Sequence, residues 1–440
     1  MKIMKFGGTS VGKPERMHQV AQLITKDSED KIVVLSALSG TTNALVGIGD
    51  SIAKGEREQA KQQIAELEKH YQAFIRDLLS TDTAYEKAKG IIAEHFEFLN
   101  IILKISFSES LNKDILAQGE LLSTKLFSVL LEEQGIDHKL LPALEFMSID
   151  AYDEPQIGSI KVKLSQLLKQ NSDKKLFITQ GYICKNSRGE VDNLKRGGSD
   201  YTASLIGAAI KATVCEIWTD IDGMHNNDPR IVKKTRPIEQ MSFDEAAELA
   251  YFGAKILHPA SIWPAQFYKV PVRLLNTMQP EAKGTLITEH AGSVGVKAVA
   301  AKDNIIAIRI KSSRMLLAYG FLRKIFEVFE KYRTPIDMIT TSEVAVTLTI
   351  DSKEHLRDIL KELEPFGSLE VDENQTIISV VGNEISQTED IIKKLFGSII
   401  NIPVRMVSYG GSPHNISLLV SAENKTRILQ QLNKGMFGLD

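Results

Sequence analysis

Residues 195–206 read Lys-Arg-Gly-Gly-Ser-Asp-Tyr-Thr-Ala-Ser-Leu-Ile. The paired glycines Gly197 and Gly198 let the backbone approach a ligand closely. The run behind them predicts a helix, whose first N–H groups and positive dipole end favour an anion. Arg196 adds a planar guanidinium that suits a carboxylate or a phosphate. The stretch therefore predicts an anion-binding loop ahead of a helix.

A second cationic glycine turn lies near the amino terminus, where residues 5–10 read Lys-Phe-Gly-Gly-Thr-Ser. Residues 7–14 match the Walker A phosphate-binding pattern at every position but the last, which should be Ser or Thr. Pro14 stands there and has no hydroxyl to bind Mg²⁺. We therefore expect Lys5 to supply the ammonium that contacts phosphate. Two anion-binding turns in one chain suit phosphoryl transfer, in which two anions must meet.

The composition narrows the class of protein without naming a reaction. A chain of 440 residues predicts about three domains. The net charge of −3, with 25% charged residues, gives no electrostatic signature of nucleic-acid or membrane binding, so small molecules are the expected partners. No window approaches the roughly 20 apolar residues of a membrane span. Cys184 and Cys215 lie in apolar stretches, so we expect buried free thiols and a cytoplasmic setting.

Apolar runs alternate with helical periods over the first two thirds of the chain. Buried strands are predicted at 3–6, 31–36, 175–184, 214–219 and 271–276. A helix is expected to open near Pro14, and residues 56–134 carry the three- and four-residue apolar spacing of a helical layer. This alternation favours an α/β sandwich with a mainly parallel sheet. The loops that follow parallel strands gather at the carboxyl edge of the sheet, where we expect the ligand crevice.

Beyond residue 292 the elements become shorter, and a pattern recurs after about 70 residues. The first copy has strands at 305–310, 336–339 and 344–350 with a helix at 321–332. The second copy has strands at 377–381, 404–407 and 416–420 with a helix at 388–396. The repeat predicts two βαββαβ units of the ferredoxin-like kind. We expect such a tandem to sense a ligand rather than to form a second active site.

An ordered set of motifs covers nearly the whole length. The motifs are KFGGTSVG at 5–12, VVLSALSGTTN at 33–43, GELLSTKLF at 119–127, RGGSDYTA at 196–203, WTDIDG at 218–223, NDPR at 227–230 and FGAKILHP at 252–259. By these motifs the chain resembles the aspartokinases of the amino-acid-kinase family, which end in two ACT domains. Segments 315–322 and 337–344 are most similar to the monofunctional lysine-sensitive form.

The resemblance implies a fold and an activity. It implies a carbamate-kinase-like αβα sandwich at 1–292, followed by ACT units at 303–372 and 373–440 that can interleave. The implied reaction moves the γ-phosphoryl group of ATP to the β-carboxylate of L-aspartate, as the first step towards lysine, threonine and methionine, with Mg²⁺ as cofactor and L-lysine as feedback inhibitor. A homodimer or dimer of dimers through the ACT domains is expected. Because the sequence stops at Asp440, we expect no fused homoserine dehydrogenase.

The resemblance also assigns site residues. The expected catalytic pair is Lys5 and Asp200, in which Asp200 orients Lys5. The expected ATP contacts are Lys5, Phe6, Gly7, Gly8, Thr219, Asp220, His225, Arg230, Lys255 and Ile256. The expected aspartate contacts are Ser36, Thr42, Glu120, Arg196, Gly197, Gly198 and Ser199. Arg196 suits the α-carboxylate of aspartate, and Glu120 suits its ammonium group.

The implied lysine contacts lie in the first ACT unit. They are Met315, Gly320, Phe321, Leu322, Ile336, Asp337, Thr341, Ser342 and Glu343. No protein side chain is assigned to the metal, which ATP would mainly hold. One departure is visible, since His225 stands where lysine-sensitive relatives often carry tyrosine.

Three other functions stay open from the sequence. The first is an amino-acid kinase with another acceptor, such as glutamate. The second is a catalytically silent amino-acid sensor, although Lys5, Arg196 and Asp200 are all present. The third is a Walker-type NTPase, against which Pro14 argues.

Overall fold

The computed structural model of the protein describes residues 1–194, 197–253, 257–290, 292–312 and 319–439. The chain forms two compact units, and neither is a single stretch of sequence. The first unit comprises Met1–Met224 and Leu257–Glu289, and the second comprises His225–Ile256 and His290–Asp440. The predicted division of the chain at 292 and at 372 remains a prediction.

The first unit is built on a sheet that is parallel except at one edge. Its strands are β1 (Lys2–Phe6), β2 (Lys31–Leu35), β3 (Lys139–Leu140), β4 (Leu176–Gln180), β7 (Cys215–Thr219), β9 (Val272–Asn276) and β10 (Thr285–Thr288). They lie in the order β3-β4-β2-β1-β7-β9-β10, and the β9–β10 pair is antiparallel. A short antiparallel hairpin of β5 (Ile183–Lys185) and β6 (Val191–Asn193) follows β4. The predicted mainly parallel sheet is confirmed.

Helices supply the outer layers of the first unit. They are α1 (Gly8–Val11), α2 (Pro14–Thr25), α3 (Thr41–Ala53), α4 (Arg57–Leu78), α5 (Asp82–Ile102), α6 (Glu109–Glu133), α7 (Ala143–Phe146), α8 (Ile157–Gln170), α9 (Gly198–Ile210) and α11 (Pro259–Phe267). Every residue of β2 and β4 is buried, as expected for strands covered on both faces. The predicted helical layer at 56–134 is confirmed as α4 to α6, and Pro14 occupies the first position of α2.

The second unit carries a six-stranded antiparallel sheet. Its strands are β11 (Gly295–Lys311), β12 (Ile339–Thr341), β13 (Ala345–Ile350), β14 (Ser368–Asn383), β15 (Met406–Ser408) and β16 (Asn415–Ser421), in the order β12-β13-β11-β14-β16-β15. A further short strand is β8 (Gln240–Ser242), and the helices are α10 (Phe243–Tyr251), α12 (Phe321–Lys331), α13 (Leu356–Leu363), α14 (Ile391–Ser398) and α15 (Lys425–Phe437). The predicted strand at 336–339 is wrong in its bounds, since regular pairing begins only at Ile339. Residues 337 and 338 still exchange backbone hydrogen bonds with Thr349.

The two long strands β11 and β14 serve two hydrophobic cores. Ile306, Ile308 and Ile310 pack with α12 and α13 in one core. Val299 packs with α14 and α15 in the other. The pairing register of β11 with β14 shifts between Lys302 and Ile305, where one core gives way to the other. Each core therefore uses one half of both long strands.

Every helix in the described ranges is too short or too polar to cross a membrane.

Candidate active site

Lys5 and Asp200 form an ion pair at the carboxyl edge of the first sheet. Lys5 lies near the end of β1, and Asp200 lies in the first turn of α9. Lys5 Nζ is 2.6 Å from Asp200 Oδ1, and the two side chains are 11% and 18% exposed. The ammonium is thus held in one place while part of it stays open to solvent. The structure brings together the two residues expected to be catalytic.

The glycine turn after β1 packs tightly against the loop after β2. A Cβ atom on Gly8 would lie 3.0 Å from the Ala37 carbonyl oxygen. The Gly7 N–H donates to the carbonyl oxygen of Trp218 at the end of β7 (3.3 Å). Phe6 is fully buried and stacks on Trp218, so only its backbone can face a ligand. These contacts hold the turn at the centre of the sheet edge.

Glu120 is a buried carboxylate at the same edge. It lies on α6 and is 4% exposed. Its Oε1 accepts a hydrogen bond from the Ala37 N–H (3.3 Å), while Oε2 has no hydrogen-bond partner in the described part of the chain. Burial raises the pKa of Glu120 to about 7. A buried acceptor without a donor is suited to an ammonium group that arrives from outside.

Gly119 allows this approach of α6. A Cβ atom there would lie 2.8 Å from the Ala37 side chain and 3.3 Å from Thr41 Cγ2. Those distances are shorter than ordinary contacts, so a larger residue would push α6 away from the loop. Thr42, one of the expected aspartate contacts, follows Thr41 in the first turn of α3.

The loop before α9 depends on its glycines. Gly197 and Gly198 have φ values of 69° and 53°, in the left-handed region that other residues rarely adopt. A Cβ atom on Gly197 would also lie 2.3 Å from the Ser261 side chain. Ser36 Oγ donates to Ser199 Oγ (2.9 Å), which ties this loop to the loop after β2. Arg196 lies outside the described residues.

The remaining residues that we expect to contact ATP belong partly to the first unit and partly to the second. Thr219 and Asp220 follow β7 in the first unit, where Thr219 Oγ1 donates to Asp220 Oδ1 (3.1 Å). His225 and Arg230 belong to the second unit. There Arg230 binds Asp228 through Nε (2.9 Å) and Nη2 (2.8 Å), which lowers the pKa of Asp228. Lys255 and Ile256 lie outside the described residues.

Contacts within the first unit thus connect three of the expected aspartate contacts, Ser36, Glu120 and Ser199, with the Lys5–Asp200 pair, directly or through neighbours in the chain. Lys5 pairs with Asp200, the neighbouring Ser199 bonds Ser36, and Ala37 bonds Glu120. The sequence reasoning missed Gly181, where a Cβ atom would lie 2.2 Å from Ser199 Oγ. A glycine directly after a buried strand was the available signal.

No cluster of three or more His, Cys, Asp or Glu side chains able to hold a metal occurs among the described residues. A cation in this part of the chain would therefore take most of its ligands from a bound phosphate and from water. That donor set suits Mg²⁺, which keeps several waters and binds substrate phosphates.

The expected effector residues lie in the second unit. Gly320 is left-handed (φ 76°) and caps α12, whose first residues are Phe321 and Leu322. Ile336 and Asp337 precede β12. Thr341, Ser342 and Glu343 form its end and the turn to β13, in which the Ser342 N–H donates to the Ala345 carbonyl oxygen (2.8 Å). Met315 lies outside the described residues.

Asp337 already has two partners inside this unit. Its side chain is 1% exposed, and its Oδ1 accepts hydrogen bonds from Lys302 Nζ and from the Tyr251 hydroxyl, both at 2.6 Å. Burial and the bond to Asp337 raise the pKa of Tyr251 to about 12, so its hydroxyl keeps its proton. Burial acts to lower the pKa of Lys302, but its bonds to Asp337 and Asp351 hold that pKa above its ordinary value. The sequence reasoning missed both Lys302 and Tyr251.

The second carboxylate oxygen of Asp337 differs from Oδ1 in its hydrogen bonding. Asp337 Oδ2 is buried and has no hydrogen-bond partner within the described ranges. Asp337 lines a cavity of about 360 Å³ together with polar side chains. They include Glu248, Tyr251, Ser408, Ser412 and Asn415. The arrangement leaves one carboxylate oxygen available to a donor from a ligand.

Comparison with known proteins gives two family matches. Residues 1–276 match the amino acid kinase family, and residues 378–436 match an ACT domain. The chain is 32% identical to the lysine-sensitive aspartokinase 3 of Escherichia coli, over 99% of each chain. It is 35% identical to the chloroplastic aspartokinase 3 of Arabidopsis thaliana, over all of this chain and 82% of that one.

Solved structures agree with these matches. The chain is similar to E. coli aspartokinase III in complex with aspartate and ADP (R-state), with a TM-score of 0.83 and 31% identity over 99% of this chain and 100% of the other. It is also similar to the same enzyme in complex with lysine and aspartate (T-state), with a TM-score of 0.82 and 31% identity over 99% of both chains.

Proposed function

This chain belongs to the amino acid kinase family and, within it, to the aspartokinases, and from that premise we propose how its residues act. The reaction transfers the γ-phosphoryl group of ATP to the β-carboxylate of L-aspartate and releases ADP and 4-phospho-L-aspartate. The observation that carries the proposal is a set of contacts at the edge of the sheet. Lys5 pairs with Asp200, the neighbouring Ser199 accepts a hydrogen bond from Ser36, and the N–H of the next residue, Ala37, donates to Glu120.

The acceptor needs no general base, because the β-carboxylate is already an anion at neutral pH. The obstacle is repulsion between that carboxylate and the triphosphate. Lys5, oriented by Asp200, neutralises charge on the phosphoryl group in transit. The Gly7–Gly8 turn lets the backbone approach the phosphates, and the Gly8 N–H donates to a phosphate oxygen. Thr219 and Asp220 are further nucleotide contacts of the first unit. Catalysis is then positioning and charge neutralisation.

Aspartate is held by both of the charged groups on its α-carbon. Its ammonium group binds the unpartnered oxygen of Glu120, and its α-carboxylate binds Arg196. The N–H groups of Gly198 and Ser199, at the start of α9, add donors for a carboxylate. A site built in this way also selects against acids that lack an α-ammonium group, because Glu120 would stay buried without a partner.

We assign the metal as Mg²⁺. When bound with ATP it neutralises phosphate charge, and the residues described leave most of its ligands to ATP and water. Because the reaction consumes ATP and a metabolic amino acid, a cytoplasmic location fits. The catalytic domain at 1–292 and the interleaved ACT units at 303–372 and 373–440 remain our domain assignment.

We assign L-lysine as the feedback inhibitor, bound in the second unit at the effector residues around Asp337. The free Oδ2 of Asp337 supports this assignment, because a carboxylate oxygen without a donor suits an amino group. Lysine inhibits by binding the less active state more tightly. A homodimer or dimer of dimers that pairs through ACT domains is the assembly we propose.

The test of the function is hydroxamate formation by the purified protein with ATP, Mg²⁺ and L-aspartate, repeated with L-glutamate and with added L-lysine or L-threonine. We expect product with aspartate alone, and less product when lysine is present. Product with glutamate instead of aspartate would reassign the acceptor. Aspartate activity that lysine leaves unchanged would keep the kinase and remove the effector.

The raised pKa of Glu120 predicts that aspartate binding depends on pH. With a pKa of about 7, the carboxylate fraction rises from about a tenth at pH 6 to about nine tenths at pH 8. The KM for aspartate should therefore fall about tenfold over that range at saturating MgATP. Steady-state kinetics at fixed ionic strength measure this change in the KM for aspartate. Glu120→Gln should show a high KM that no longer changes with pH.

Glu120→Gln also tests how the Glu120 carboxylate affects folding stability. The pKa of Glu120 is raised from 4.5, so folding loses stability as pH rises from about 4.5 to about 7, and the cost of about 3 kcal/mol persists above that pH. Glu120→Gln should therefore raise the melting temperature at pH 8 and have much less effect at pH 5. An equal change in melting temperature at pH 5 and pH 8 would show that burial of the Glu120 carboxylate does not destabilise the fold.

A further inference from the structure

Lys113 and Asp192 form a largely buried ion pair outside the expected substrate residues. Lys113 Nζ is 2.5 Å from Asp192 Oδ1, and the side chains are 20% and 6% exposed. Asp192 Oδ1 also accepts a hydrogen bond from the Asn193 N–H (2.7 Å). Neither residue belongs to a motif that the sequence analysis singled out.

The two partners lie on elements that carry opposite ends of the aspartate site. Lys113 lies on α6 seven residues before Glu120, which is close to two helical turns and places both on one face of the helix. Asp192 lies on β6, two residues before Leu194. The Leu194 N–H donates to the Tyr182 carbonyl oxygen (2.7 Å), and the chain then enters the 195–199 loop.

The hairpin is also anchored to the helix that follows the loop. The Tyr182 N–H donates to Thr202 Oγ1 (2.8 Å) on α9, and β5 pairs with β6 through Cys184 and Asp192. Leu194, which follows β6, and the first turns of α9 are thus both fixed to Tyr182. The Lys113–Asp192 pair is a direct side-chain link from this assembly to the helix of Glu120.

Burial of an ion pair is poor evidence of a gain in stability, because the loss of hydration offsets most of the attraction between the charges. What such a pair does well is select one register between two elements. Here the two elements are α6, which carries Glu120, and the β5–β6 hairpin, which comes before α9 in the chain.

We propose that Lys113 and Asp192 are positioning residues that set the separation between Glu120 and the Gly197–Ser199 turn, so that the ammonium and α-carboxylate groups of aspartate bind at once. The inference rests on the proposed function, since it assumes that Glu120 and this turn hold aspartate. It assigns neither residue a contact with the substrate. The pair acts on aspartate binding, while the nucleotide residues at the ends of β1 and β7 stay in place.

The experiment measures kcat and both KM values for Lys113→Met, Asp192→Asn and the charge-exchanged double variant Lys113→Asp with Asp192→Lys. Each single variant should raise the KM for aspartate about tenfold, because displacements of about 1 Å at a two-point site are costly. The KM for ATP should change by less than about twofold, and kcat at saturating aspartate should change little. The double variant should recover at least part of the aspartate KM.

Lys174→Met is the matched control. It breaks the Lys174–Asp137 pair (2.6 Å) in the same unit, where Asp137 is 71% exposed. It should leave both KM values unchanged. If a single variant folds poorly, the charge-exchanged variant still decides the question.

Two results would overturn the inference. One is an aspartate KM that stays unchanged in folded single variants, and the other is an equal rise in both KM values with no recovery in the double variant. Failure of the proposed function would look different, because the unaltered protein itself would then form no product with aspartate.

Discussion

Replacing Lys5 with methionine is expected to lower kcat by about 100-fold or more, the usual cost of removing one charged stabiliser of a transition state. Lys5 Nζ is held 2.6 Å from Asp200 Oδ1 and lies beside the Gly7–Gly8 turn, to which we assign phosphate binding. Methionine keeps the length of the side chain and removes the charge. The KM for ATP should rise far less, because the turn keeps its backbone donors. Steady-state hydroxamate assays measure both constants.

The loss must be separated from misfolding, since Lys5→Met leaves Asp200 without its partner. The double variant Lys5→Met with Asp200→Asn removes both charges and should regain thermal stability without regaining activity. Lys2→Met is the matched control. It lies on the same strand, is 12% exposed and pairs with Asp27 at 2.7 Å, away from the crevice. A Lys5→Met enzyme with near-normal kcat would remove Lys5 from the catalytic pair.

Replacing Asp337 with asparagine is expected to raise the lysine concentration for half-inhibition by about 10- to 100-fold, which corresponds to the loss of one charge-assisted hydrogen bond. Asparagine keeps the shape and can still accept from Tyr251, but it carries no charge for the amino group of lysine. Basal activity without lysine should stay measurable. Inhibition curves at fixed aspartate and ATP test the change, and full inhibition in Asp337→Asn would overturn the assignment.

Lys302→Met should lower the lysine concentration for half-inhibition, the opposite of the effect expected for Asp337→Asn. Lys302 now places an ammonium group 2.6 Å from Asp337 Oδ1, so it competes with the amino group of lysine for one carboxylate. Without it, half-inhibition should need less lysine. Asp351→Asn is the control, because Asp351 also pairs with Lys302 (2.9 Å) but is not an expected effector contact. Weaker inhibition in Lys302→Met would instead show that Lys302 maintains the geometry of the site.

Much of the fold could be predicted from local patterns. A mainly apolar run predicted β2, as is typical of a strand covered on both faces. The single strand predicted at 175–184 is wrong in its bounds, since the structure divides it into β4 and β5, which belong to different sheets and are separated at Gly181. Pro14 correctly predicted the start of α2. The strand at 336–339 was misjudged because Ile336 and Ile339 are apolar, whereas regular pairing with β13 begins at Ile339.

The state of the site residues could not be predicted in this way. Glu120 is an ordinary carboxylate by sequence, and its pKa of about 7 arises from burial beneath the Ala37 loop, more than 80 residues away along the chain. The partners of Asp337 are also remote in the chain, since Tyr251 lies 86 residues and Lys302 lies 35 residues before it. No local pattern reports such encounters.

The sequence by itself determined the alternation of strands and helices, the two glycine turns and the family, because each depends on residues near one another or on an ordered set of motifs. The resemblance also led us to expect the Lys5–Asp200 pair. Only the tertiary structure decided that Lys113 meets Asp192 and that Lys302 meets Asp337. The physical reason is that the energy of a charge depends on its distance from other charges and on its exposure to water. Both quantities are set by the packing of segments that are remote in the chain.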